Sequence, residues 1–581
     1  MKKIVWGSIM ICCYILPCNI LAQVPILVKE WEVMLGSQGE ELNIGPQYMM
    51  QDKNGDVYIM STSLSNAASG NKTDPNCYIQ DSIAITDMWL VKIDTNGNIL
   101  WNRTLGGELG EHANCIMLNS AKDKIIVTGG SNSDMSCEKT QNRYDSKGDT
   151  WTLELDLDSN IIWDKRYGSK SFDVFYNGAT APDGSVLIGG FSNAYAPNKD
   201  VSDSAIGILE DIWLVKIDSA GNKIWDQKYG SFYSEFPYEV IALSNEQYLL
   251  LNYTNGQKSG DVSDSSFSSK FDPSYFKGDN WLLKIDSSGK KIWDKRYGCL
   301  KAEDHPNCGM MNSDGEVVIG ASLGLSSLNG NFYPCNDGVA DTTPRGAFNA
   351  WLYKIDTSDG HIIKEKRFGG ELNDAIMQII ELNDKGYLIA LKSNSNASFE
   401  KSENRIGTNL QNTNNYDIWL VRMDSAFNIL WDKTLGTDGY DDTPNIIALS
   451  DSTFILAAKI KINNNDVGIP MFDTANYALG WPRGDIWVAK WFIANPAQVD
   501  ELNLASINLY PNPALDLLYI TLQNPKNKNY QIQIHDMHGR KMEQKSISFS
   551  KSNSIMIETQ NWPPGVYVVN IESVSKKVVK L

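Results

Sequence analysis

Few residues of this 581-residue chain stand at spacings that do chemistry. Gly320-Ala-Ser322-Leu-Gly324 spells a nucleophile elbow, which works where a strand turns sharply into a helix. Here the run leaves what reads as a β-strand with no helix behind it, so the match is a coincidence of spelling. Asp200-Val-Ser-Asp203 and Asp261-Val-Ser-Asp264 carry oxygen atoms of the kind Ca²⁺ takes, but neither completes a calcium loop, and solvated loop acid is the plainer reading. His112, His305, His361, His535 and His538 offer no zinc spacing. No catalytic residue and no cofactor is therefore expected, Ca²⁺ in the loops being the one metal considered. What remains is stacking chemistry. Tyr195, Phe271, Tyr275, Phe332, Tyr333 and Trp481 lie among Ser, Asn, Asp and Gly, the mixture that holds a glycan or protein ligand through ring faces and hydrogen bonds. The same composition also suits variable loops that pack only on themselves.

The elements that position these residues are set by a repeat. Asp87-Met-Trp89-Leu-Val-Lys-Ile-Asp94 returns at Trp151, Trp213, Trp281, Trp351, Trp419 and Trp487, and each copy is strand-like in its aromatic and branched residues. Most copies run into a tight turn such as Asp94-Thr-Asn-Gly97-Asn98 and then into a second strand such as Ile99-Leu-Trp101, which is a hairpin. A second hairpin, for example Val174–Ala181 with Ser185–Gly190, follows in each repeat. Four strands per repeat and seven repeats, with no helical periodicity, predict an all-β chain whose main body, residues 23–493, is a seven-bladed β-propeller. The pattern begins at Trp31 with the second half of a hairpin and ends at Trp487 with the first half. The two halves should pair and close the ring, which removes an exposed sheet edge. The predicted strand order, from the axis outward, is the Val174 type, the Val186 type, the Trp-Leu-Val-Lys type and the Ile-Leu-Trp type. The long connections before each Trp-Leu-Val-Lys strand then share one face, and that face, not the channel, is expected to bind. The innermost strands vary from blade to blade and offer no convergent set of carboxylates, His or Lys that would hold a substrate or shift one another's pKa. Thirteen of the 17 tryptophans occupy the two repeat positions and are read as core, not as a sugar ladder.

Charge and cysteine usage narrow the setting. A net charge of −18 with no basic run argues against nucleic acid. Lys2 and Lys3 before an apolar stretch ending at Ala22 read as a signal peptide over residues 1–22; Cys18 suggests a lipoprotein alternative, but Pro17 stands where that signal wants a small residue. No later stretch is long and apolar enough for a transmembrane segment. Of the six cysteines beyond Cys18, Cys115 and Cys308 fall on inner strands across the ring and are too distant to bridge, so Cys77–Cys137 and Cys299–Cys335 are the expected disulfides. The stretch from Leu502 turns basic, nine Lys and Arg against five Asp and Glu, and residues 494–506 read as a linker to a separate module at 507–581.

That module opens with Leu509-Tyr510-Pro511-Asn512-Pro513, turns at Gly539, carries Gly565-Val-Tyr567 and ends in a basic tail with Lys577 and Lys580. Its alternating strands make a small antiparallel β-sandwich. It resembles the type A C-terminal sorting domain of the type IX secretion system. The resemblance implies export by that machinery, a secreted or outer-membrane-surface location, and release or attachment to lipopolysaccharide after the domain is cleaved. The Val-Lys-Ile-Asp-x-x-Gly-Asn-x-x-Trp signature resembles the outer hairpin of pyrroloquinoline-quinone propellers, and more closely the repeat propellers of secreted Bacteroidota proteins. A quinoprotein would bring a disulfide of adjacent cysteines, and the only adjacent pair, Cys12-Cys13, leaves with the signal. The expectation is a secreted binding or adhesion module, the alternative being a propeller enzyme of the quinoprotein-dehydrogenase or glycan-processing kind.

Overall fold

A computed structural model describes residues 26–494 and 507–580, apart from several long-loop stretches (78–84, 265–277, 337–344, 407–414 and 472–483) and some shorter ones. Two compact units emerge, one spanning Lys29–Phe492 and one holding Ile493–Leu581. The first is a seven-bladed propeller. Blade three shows the plan: Asp173–Thr180 is innermost, followed by Val186–Ser192, Asp211–Ile217 and Lys223–Tyr229, all antiparallel. Blade seven departs from it as the ends of the repeat pattern require. Its inner three strands, Asp442–Ser450, Thr453–Ile460 and Asp485–Ala494, come from the end of the propeller, and the N-terminal strand Ile26–Leu35 pairs on their outside.

The seven repeat tryptophans of the third strands are all fully buried. Each indole N–H is satisfied across its own hairpin, as in Trp151 to Asp164 Oδ2 at 3.0 Å and Trp419 to Asp432 Oδ2 at 2.8 Å. In blade seven the acceptor is Glu32 Oε2, 3.0 Å from Trp487 Nε1, so one hydrogen bond spans the two chain segments that build the blade. The outer-strand tryptophans tie blade to blade. Trp101 donates to Leu157 O, Trp163 to Ser219 O and Trp225 to Ser287 O, each reaching the turn of the next blade at 3.0–3.2 Å. Trp31 of blade seven does the same to Thr95 O of blade one at 3.0 Å, and this contact closes the circle. Gly97 in that turn has φ +84°, and a Cβ there would stand 2.7 Å from the Trp31 ring, so glycine is required both for the turn and for the close approach.

The C-terminal unit packs a three-stranded sheet, Ile507–Tyr510, Leu517–Leu522 and Ser554–Glu558, on a four-stranded one, Lys541–Ser548, Asn529–Asp536, Gly565–Ile571 and Val574–Lys580. Leu518, Ile520, Ile532, Ile534, Trp562 and Tyr567 fill the space between them. Tyr567 also donates its hydroxyl to Pro563 O at 2.6 Å.

Candidate ligand site at the mouth of the channel

The long-loop face is held by buried acids. In blades two, three, four and six the short connection into the inner strand gives a backbone N–H to that strand's leading carboxylate: Gly107 to Glu111, Ser169 to Asp173, Ser231 to Glu235 and Gly370 to Asp374, at 2.6–2.9 Å. A second acid, at the start of the third strand in blades one, two, three and six, receives an N–H from the long loop above it, as Asp87 does from Cys77, Asp149 from Tyr144, Asp211 from Ile206 and Asp417 from Ile406. Burial pushes Asp87 up to about 8, Asp149 and Glu235 to about 7 and Asp211 to about 6. Lys139 and Lys228 lie buried beneath the loops and cap loop carbonyls such as Ser133 O and Ala194 O. These groups anchor loops. No cluster of three potential metal ligands occurs among the described residues.

The inner strands carry a second regularity. Six of them have a β-bulge near their long-loop end, extruding Asn114, Tyr176, Tyr238, Asn307, Met377 and, in blade seven, Thr443 with Pro444. A bulge inserts an unpaired residue and re-aims its side chain. In blades three and four the re-aimed residue is a tyrosine, exposed at 42% for Tyr176 and 36% for Tyr238. Around them rings join in an arc over blades three to five. Phe172 and Tyr176 each lie 5.8 Å from Phe191, Phe191 lies 5.9 Å from Phe236, and Phe236 lies 6.4 Å from Tyr253. Tyr253 stacks on His305 at 4.6 Å with 12° between the planes. His305 then joins two polar groups, Nδ1 to Tyr238 Oη at 3.1 Å and Nε2 to Glu303 Oε1 at 3.1 Å.

The arc walls a cavity of about 330 Å³ lined by Gln47, Tyr48, Asn114, Tyr176, Phe236, Pro237 and Tyr238. A second cavity of about 240 Å³, reaching His112, Asp149 and Phe172, shares Asn114 and Tyr176 with it. The floor is a side-chain bridge across the channel. Gln47 Oε1 accepts from Cys115 Sγ at 2.7 Å and from Gly178 N at 3.2 Å, while its Nε2 lies 3.5 Å from Glu239 Oε1; Glu239 Oε2 in turn accepts from Gly309 N at 2.5 Å. Blades one to five thus meet at one level. Burial raises Glu239 to about 8.

The meeting of Gln47, Cys115 and Glu239 at this level was not among the sequence expectations, which concerned carboxylates, His and Lys. Comparing blades by residue type could not see it, because the groups that converge come from different strand positions. Of the residues proposed from sequence, Tyr195 stands 65% exposed in the long loop of blade three. Phe271, Tyr275, Tyr333 and Trp481, and the side chain of Phe332, lie outside the described residues. So do residues 1–22, Pro511, Asn512, Pro513 and Gly539, and the side chains of Tyr510 and Lys577. Ser322 of the elbow spelling is 6% exposed inside the strand Val317–Gly324 and accepts from Asn307 Nδ2 at 2.7 Å. The loop acids serve backbone amides: Asp200 takes Gly168 N, Asp261 takes Gly230 N and Asp203 takes Lys228 N. Cys77 and Cys137 form a disulfide with Cα atoms 6.3 Å apart, joining the long loops of blades one and two. Cys299 is disulfide-bonded and the strand register sets Cys335 opposite it, while Cys115 and Cys308 are buried free thiols.

No curated protein matches the sequence. Among solved structures, a protein of unknown function from Dyadobacter fermentans is similar at 11% identity, covering 80% of this chain and 99% of that one, with a TM-score of 0.38. A Synechocystis apocarotenoid oxygenase variant follows at 10% identity, 72% and 94% coverage and a TM-score of 0.35. Residues 508–581 match the secretion system C-terminal sorting domain, which marks the chain for type IX secretion to the cell surface.

Proposed function

We propose that the propeller is a binding module carried to the cell surface by its sorting domain, and that it takes a glycan at the channel mouth. The arc of rings from Phe172 to His305, with Tyr176 and Tyr238 exposed on bulges of paired strands, is the observation that carries the reading. Ring faces stack on the C–H faces of sugars, and amide and hydroxyl groups beside them fix the hydroxyls. Holding those rings on sheet and not on loops lowers the ordering cost of binding. On this reading the long loops shape the rim, and Tyr195, Phe271, Tyr275, Phe332, Tyr333 and Trp481 extend the surface. After cleavage of the sorting domain the propeller would be released or held on lipopolysaccharide of a Bacteroidota-type outer membrane. A glycan array probed with the full-length mature chain tests the proposal. Retention of one glycan class, lost on Tyr176→Ala and Tyr238→Ala, supports it; retention unchanged by both substitutions sinks the site. Shortening of the retained glycan during incubation would replace adhesion with glycan processing.

A further inference from the structure

We infer that the Glu303–His305–Tyr238 chain of hydrogen bonds turns Tyr238 into a hydrogen-bond acceptor at the mouth cavity and so favours uncharged, hydroxyl-rich glycans over acidic ones. The inference rests on the glycan reading above and names the class of glycan. It follows from proton counting. A carboxylate only accepts, so the contact of Glu303 Oε1 with His305 Nε2 at 3.1 Å requires a proton on Nε2. In the neutral ring Nδ1 is then bare and accepts, and Tyr238 Oη, 3.1 Å away, must donate to it. A phenol has one proton. Tyr238, which lines the cavity, therefore offers only oxygen lone pairs to a ligand.

Three other groups that line the cavity also have a donor engaged, while the Tyr176 hydroxyl keeps its proton for a ligand. Tyr48 spends its hydroxyl proton on Ala113 O at 2.6 Å. Asn114 directs its amide nitrogen to Phe175 O at 2.7 Å, and Gln47 directs its own toward Glu239. Among the described residues no Lys or Arg lines either cavity. An acidic sugar would bring acceptors to the Tyr238 acceptor and a charge that no cation of the described lining offsets, whereas a neutral sugar brings donors. The ring of His305 is held below its ordinary pKa by burial, against the pull of Glu303, so the neutral form prevails at neutral pH. Among the described residues the groups that face it are Glu303 on its own segment and Tyr238 and Tyr253 of blade four. Protonation would put a proton on both nitrogens, reverse the bond to Tyr238 and turn the phenol proton toward the cavity.

The test joins two readouts on the full-length mature chain. Long-range ¹H–¹⁵N correlation of the His305 ring at about pH 7.5 reads its tautomer directly, and a bare Nδ1 is expected. Calorimetric titration with a neutral gluco-oligosaccharide and an oligogalacturonate of equal length should favour the neutral one about tenfold or more at that pH. The gap should narrow at about pH 5, and His305→Gln should remove the narrowing while leaving the melting curve unchanged. A proton on Nδ1 at neutral pH, equal affinity for the two oligosaccharides, or a pH dependence that survives His305→Gln would each overturn the inference. A bare Nδ1 with no oligosaccharide bound would uphold the hydrogen-bond chain and refute the glycan reading on which its specificity rests.

Discussion

The third strand of each blade and the first strand obey opposite rules. Asp211-Ile-Trp213-Leu-Val-Lys-Ile217 is nearly the same in seven blades, is buried along its whole length, and does one thing everywhere: it places an indole between blades. Six inner strands share a leading acid and a bulge, and what the bulge extrudes varies, Asn in blades two and five, Tyr in blades three and four, and Met377 in blade six. Repetition here records packing. Departure from it, on a backbone feature that is itself repeated, is where the proposed ligand site lies.

Breaking the repeated layer should have the largest effects. Removing residues 26–37 strips blade seven of its outer strand, the Glu32 acceptor of Trp487 and the Trp31 contact with Thr95, and leaves an exposed sheet edge. Aggregation or loss of a cooperative melting transition is expected; an unchanged thermogram would mean that the ring is closed some other way. Trp213→Ala empties a fully buried site and should cost about 3–5 kcal/mol in a denaturant titration. The same exchange at Tyr176, 42% exposed, should leave stability within about 0.5 kcal/mol while abolishing binding. A pair of equal losses would erase the contrast between the two layers. Opening the Cys77–Cys137 bridge, which spans 60 residues, with serine at both positions is expected to cost about 2–4 kcal/mol.

The anchoring acids give a smaller and signed effect. Asp87, Asp149, Asp211 and Glu235 are raised by burial in the folded chain, so the folded state holds more protons than the unfolded one. Their contribution is complete below the ordinary carboxylate pKa of about 4 and is lost as pH rises through about 6 to 8. The turn acids Asp94, Asp156 and Asp218 are lowered by the amides they accept and act in the opposite sense, losing their contribution only as pH falls below about 4. The melting temperature should therefore peak near pH 5 and decline by pH 8. A rise over that interval would show that the buried acids are ionised and paired in the fold.

The blade plan was legible in the sequence because each of its signals is repeated: one Trp-centred strand is no evidence of a fold, and seven at a regular interval are. Ring closure was legible for the same reason, from half a hairpin left over at Trp31 and half at Trp487. The mouth of the channel was not. A bulge is a one-residue slip in register with no residue type of its own, so nothing marks Tyr176 or Tyr238 as re-aimed until the strands are paired. Glu303 and His305 meet Tyr238 across a blade boundary, a juxtaposition that no local spacing reveals. One faint signal was present. Aligned on their leading acids, the inner strands of blades two and five both read His-x-Asn-Cys, at His112 and at His305, while blades three and four both place Tyr at the Asn position.

The central claim is that binding belongs to the re-aimed inner-strand residues and not to the tips of the long loops. The most direct measurement is one glycan array run on the wild-type chain, on a Tyr176→Ala/Tyr238→Ala double variant and on Tyr195→Ala, with melting curves to confirm that all three are folded. The account predicts one glycan class retained by wild type and by Tyr195→Ala and absent from the double variant. Retention by the double variant together with loss in Tyr195→Ala would contradict it and return the site to the loops.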